Sequence, residues 1–137
     1  MEESKKEIKY VGVGDRVKAV ITDSVVLIGM IIGLTYVFDS FENVPESAKM
    51  IAFAFVFFLY DPLFTTFFGG TLGHLGNGLR VRRESSINEK ILIHSALIRF
   101  IVKALLGWIS LLTISKSEKK KAIHDSVVGS VVVYVKQ

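Results

Sequence analysis

The sequence contains no cysteine, which removes disulfides, thiolate metal sites and cysteine nucleophiles from consideration. Its histidines, His74, His94 and His124, include no pair spaced i, i+4, so no metal site is expected. The glycine run "GGTLGHLGNG" lacks the G-K-S/T ending of a phosphate loop, and a tight backbone turn accounts for it. No nucleophile, base and acid can be read as an arrangement. The chain is therefore not expected to be an enzyme, with no catalytic residues and no cofactor.

What the chain has is apolar surface. Half of its 137 residues are hydrophobic, high for a soluble domain of this length, and they are gathered in blocks instead of being spread at amphipathic spacing. A block from Val17 to Phe38 and another from Met50 to Phe68 are each long enough, at ~1.5 Å per residue, to cross a ~30 Å hydrocarbon layer. A signal peptide fits the first block poorly, because the run is too long and no small-x-small site follows it. The loop "DSFENVPESAK" between them is acidic with one lysine. Basic residues cluster before the first block, at Lys5, Lys6, Lys9, Arg16 and Lys18, and after the second, at Arg80, Arg82, Arg83 and Lys90. The positive-inside rule then places both basic sides, and the N-terminus, in the cytoplasm. The net charge of +4 is modest. Membrane orientation explains it more simply than nucleic acid, which is not an expected partner.

A third apolar stretch, about 89–115, carries Arg99 and Lys103. A straight span would put both near the bilayer centre, at a cost of roughly 2.5–3.5 kcal/mol each. Its far end meets the basic run "KSEKKK", which favours the cytoplasm and is a candidate for anionic lipid. Ser95, Arg99 and Lys103 recur at i, i+4, i+8 and make one polar stripe. The preferred reading is an interfacial helix from about Asn88 to Lys103, then a segment that dips in near Gly107 and Trp108 and returns. A tilted third span is the alternative. "GLRVRRE" and the β-branched stretch 129–136 read as strands, able to pair if they share one side. The expected fold is thus an all-α membrane protein: two transmembrane helices, a third interfacial, re-entrant or tilted segment, and a small cytoplasmic β element. Residues 1–15 read as a cytoplasmic tail and 16–137 as one membrane domain.

Two carboxylates interrupt the apolar blocks. Asp23 and Asp61 each fall roughly 10 Å below the same surface at ~1.5 Å per residue, and Arg99 can reach that depth. Asp23, Asp61 and Arg99 are therefore the candidate ion or proton site. Pro62 removes a backbone donor beside Asp61 and frees the carbonyl near Phe58, a potential oxygen cluster for a small cation; the plain alternative is a carboxylate that snorkels or stabilises a kink. Arg16, Ala19 and Asp23 share a helix face, with Arg16 and Asp23 placed to grip a third group. Gly29 and Gly33 make a small-xxx-small step for helix packing, within the chain or in a homo-oligomer.

"RVKAVITD", "FFGGTLGHLGNGLRV" and "AIHDSVVGSVVV" together resemble the RDD family of small bacterial membrane proteins. The order R-x-x-A-x-x-x-D, G-x-T-x-G, G-L-R-V, an apolar-flanked arginine and H-D carries the resemblance from Arg16 to Val133. It implies that Arg16, Asp23 and Asp125 are the arginine and two aspartates, with Thr71, Gly73, Gly78 and Arg99 as the secondary pattern. His74 stands where the family often has lysine, and Thr65 where some members have an acid. Asp125 is expected to tie back to Arg16. The resemblance also implies a bacterial inner-membrane protein, with transport, including sodium/proton exchange, among the family's associations. Two functions stay open: an oligomeric ion transporter using the intramembrane carboxylates, and a membrane-anchored scaffold that binds a partner or lipid and whose buried charges are structural.

Overall fold

A computed structural model describes residues 8–135. Helix α1 spans Val13–Asp39 and α2 spans Glu46–Phe68, each extending a predicted apolar block, chiefly at its N-terminal end. A short helix α3, Leu72–Gly76, leads into strand β1, Leu79–Arg83. Helix α4, Ile93–Leu106, continues as a 3-10 helix over Gly107–Lys116, and α5, Ile123–Val128, precedes strand β2, Ser130–Tyr134. Three of these helical stretches are long and apolar enough to cross a membrane.

The two predicted strands pair, antiparallel, from Leu79↔Tyr134 to Arg83↔Ser130. The N-terminal segment joins the other edge of β2. Tyr10 bridges Val133, Val11 N–H donates to Val132 O at 3.1 Å, and Tyr134 N–H donates to Lys9 O at 3.1 Å. Residues 9–11 are therefore part of the folded unit; Lys5 and Lys6 lie outside the described residues.

The apolar core sits under this ribbon, where Val11, Ala19, Leu79, Val81, Ile91, Ala96 and Val132 meet. Burial along the long helices stays near it: Arg16, Ala19 and Asp23 in α1, and Tyr60 to Thr65 in α2. The remaining lengths are sheathed in exposed Ile, Val and Phe, with Phe38 against Phe53 the aromatic contact near their far ends. In the most apolar window of α1 only 6% of residues are buried. Surface of that extent and kind is stable only when hydrocarbon covers it.

The third apolar stretch differs from both readings in detail. Residues 88–92 are not helical, and α4 begins at Ile93. Its polar stripe does not lie on a surface: Arg99 is 1% exposed and Lys103 points at α2. A surface-lying helix and one with its polar face turned into a charged interior have the same periodicity, which is why the stripe alone misleads. At Gly107 the backbone takes φ +54° and ψ −135°, a conformation that suits glycine. On one continuous axis Thr113 would stand on the order of 20 Å beyond Arg99. Instead Arg99 binds Asp125 in α5, and Thr113 Oγ1 donates to Lys121 O, just before α5. The chain therefore changes direction at Gly107.

Helix α2 runs unbroken through Pro62. Asp61 accepts from two side chains, Thr65 Oγ1 and Lys103 Nζ.

Candidate functional site

The charged residues converge where α1, α2, α4 and α5 meet below the ribbon. Asp125, fully buried in the first turn of α5, is the centre. Its Oδ2 takes Arg16 at 2.7 Å and the Ala122 N–H at 3.2 Å; its Oδ1 takes Arg99 Nε and Ser130 Oγ, both at 3.1 Å. Burial alone would raise this carboxyl's pKa, but Arg99 and Arg16 outweigh it and hold it well below the usual range. The expected tie between Asp125 and Arg16 is present. Arg16 is fixed further by donating to Lys120 O at 2.8 Å.

Arg99 and Lys103, one turn apart on α4, share Asp61. Lys103 Nζ donates to its Oδ2 at 2.9 Å, while Arg99 approaches Oδ1 only to 3.9 Å. Among the described residues Arg99 has one buried guanidinium nitrogen, the one facing Asp61, without a hydrogen bond. Thr65 donates to Asp61 at 3.3 Å, so the hydroxyl at this position serves Asp61.

Asp23 stands apart from these pairs and does not share a partner with Arg16. It accepts Tyr60 OH at 2.7 Å, Thr71 Oγ1 at 2.6 Å and the Gly73 N–H at 2.8 Å. Every one of these donors is neutral, and among the described residues no cation forms an ion pair with it. Tyr60 comes from α2, and the other two donors from the start of α3, whose first-turn amides have no intrahelical partner. Leu72 N–H uses Tyr60 OH, Gly73 N–H uses Asp23, and His74 N–H uses Thr71 Oγ1 as cap. Thr71 and Gly73 thus meet at Asp23. Gly73 has to be glycine there, since an added Cβ would collide with the Ala19 carbonyl and stand 2.7 Å from the Asp23 carboxylate.

A cavity of about 130 Å³ separates Asp23 from the Asp61–Lys103 pair, walled also by Tyr60, Phe57 and Phe100. Three buried or half-buried cations, Arg16, Arg99 and Lys103, equal the three carboxylates in number, but their ion pairs reach only Asp125 and Asp61. The nearby histidines add no charge at neutral pH. Burial, then the charge of Arg99, holds His74 and His124 at about 3. His74 Nδ1 lies 2.8 Å from Thr71 Oγ1, and His124 Nδ1 lies 2.7 Å from Ser110 Oγ, which also accepts the His124 N–H at 3.0 Å.

Of the residues singled out from sequence, Arg16, Arg99 and Asp125 form one cluster with Asp61 at its edge. Asp23, Thr71 and Gly73 form a second, and Gly78 turns the chain into β1 at φ +72°. Gly29 and Gly33 have nothing within 4 Å of an added Cβ, so they pack no helix within this chain. Sequence reasoning missed the roles of Lys103, Tyr60, Ser110 and Ser130. Lys103 had a signal, its i+4 spacing from Arg99; the others had none. In the basic run, Lys119 and Lys121 are held by Glu84.

The family model described as RDD family matches residues 10–129, from the Tyr10 bridge to the residue before β2. No curated protein and no solved structure matches the chain.

Proposed function

The chain belongs to the RDD family, and from that premise we propose an oligomeric membrane protein that moves a proton or a sodium ion, with Asp23 as its binding carboxylate. The supporting observation is the coordination of Asp23: neutral donors only, and a cavity shared with Asp61 and Lys103. In a site of low dielectric, a carboxylate without a paired cation is strongly stabilised by any positive charge that enters beside it. Tyr60 and Thr71 supply further oxygens. Arg16, Arg99 and Asp125 hold the helices around this site. One copy has too few helices to enclose a pathway, so a homo-oligomer completes it. No cofactor and no enzymatic step are required.

Topology supports the same reading. Residues 9–11 and β2 are hydrogen-bonded neighbours, which supports a reading in which the segment before α1 and the segment after α5 share one side, with an even number of crossings between them. Two spans, α1 and α2, with a third segment that turns back at Gly107, satisfy this. The lysines near the N-terminus support a cytoplasmic position for that side, in a bacterial inner membrane.

Dissipation of a pH gradient by added sodium, potassium or lithium in proteoliposomes tests the proposal, wild type against folded Asp23→Asn. Cation-dependent flux lost in the variant supports it. A second reading, a membrane-anchored scaffold, draws on Asp125, whose charge is fully met by two arginines. Folded, inserted wild type with no flux above empty liposomes, and an Asp23→Asn variant that merely melts earlier, would favour the scaffold.

A further inference from the structure

Several surface cations here are already engaged: Arg83 with Glu89, and Lys119 and Lys121 with Glu84. Arg80 and Arg82 differ. Among the described residues neither forms an ion pair, and each guanidinium donates to the carbonyl preceding its own residue, Leu79 at 2.7 Å and Val81 at 3.2 Å. Two apart on β1, they project from one face of the ribbon. Each charge is held beside its like: Arg82 is lowered by burial and then by Arg80.

The end of α2 lies against them. Val81 N–H donates to Gly69 O at 2.7 Å, and the Arg82 guanidinium touches Gly69. Lys90 Nζ donates to Phe67 O at 2.9 Å. Three cationic side chains therefore gather at a helix C-terminus, whose partial negative charge of about half a unit offsets only a fraction of theirs. Phe67 and Phe68, at the same end, are 62% and 57% exposed. The lipid-facing surface of α2 stops where the cations begin.

We propose that Arg80, Arg82 and Lys90 bind the phosphate headgroup of an anionic phospholipid whose acyl chains lie along Phe67 and Phe68. Guanidinium groups match phosphate oxygens in charge and fork geometry. A phospholipid gains that contact together with apolar burial, whereas free phosphate gains the first alone. The site does not depend on what Asp23 does.

The test is native mass spectrometry of the protein in micelles holding equal phosphatidylglycerol and phosphatidylcholine. Wild type is expected to retain phosphatidylglycerol in preference, and R80Q/R82Q to lose about fivefold of that preference per arginine. R80K/R82K and K116Q/K120Q should keep most of it. Equal retention of both lipids by wild type overturns the proposal. Preference that survives in R80Q/R82Q overturns it too, and assigns it to other cations. Displacement of the lipid by millimolar inorganic phosphate would make this a soluble-anion site instead. Should R80Q/R82Q not fold, K90Q at the exposed Lys90 decides, with about a fivefold loss expected and no loss counting against the site.

Discussion

Arg99 donates from Nε to Oδ1 of Asp125 at 3.1 Å, with the two side chains 1% and 0% exposed. Because Arg16 takes the other oxygen, removing this one negative charge strands two buried guanidinium groups. Asp125→Asn is expected to cost about 3–5 kcal/mol, measured as a lower Tm in detergent. A loss under about 1 kcal/mol would show that the arginines reach water or other partners without it.

Acid should destabilise the fold in two stages. His74 and His124 sit at about 3 in the folded chain and near ~6.5 when unfolded, so the unfolded chain binds more protons between those values. Their contribution to stability is complete above about pH 6.5 and is lost as pH falls toward about 3. Asp125, also depressed on folding, adds loss of the same sign below about pH 4. Melting curves from pH 7 to 4 should show Tm falling, with a shallower slope in His124→Gln. A Tm constant over that range would contradict the buried, neutral state of both rings.

Gly73→Ala places a methyl group against Ala19 and Asp23 and should cost about 1–3 kcal/mol. Gly29→Ala and Gly33→Ala meet nothing and should leave the Tm of the monomer unreduced. Comparing the three by thermal melt, then the last two by cross-linking in membranes, separates packing inside a copy from packing between copies.

The break in the helix at Gly107 has a built-in reporter, the chain's one tryptophan at the next position. Gly107→Ala is expected to strain the turn by about 1–3 kcal/mol and to shift Trp108 emission. Unchanged emission and stability would mean that the turn tolerates a side chain.

The apolar blocks and strands were legible because composition alone separates them: phenylalanine and isoleucine runs against "VVVY". Arg99 was legible as a charge that cannot face lipid. Its orientation was not, since inward and surface-lying stripes share a period. Partner choice was the hidden layer. Asp23 meets Thr71 from 48 positions away and Arg99 meets Asp125 from 26, distances at which spacing carries no information. Tyr60 was masked by the aromatic run around it, and its value lies in one hydroxyl.

The dependence of Arg16 and Arg99 on Asp125 also imposes an order on biosynthesis. Both arginines leave the ribosome before α5, so they are made ahead of the carboxylate that neutralises them. During that interval they require water, lipid phosphate or the insertion machinery as a substitute. Closure of the ribbon by β2 then ties this later-made strand to the segment that leads into the earlier-made α1.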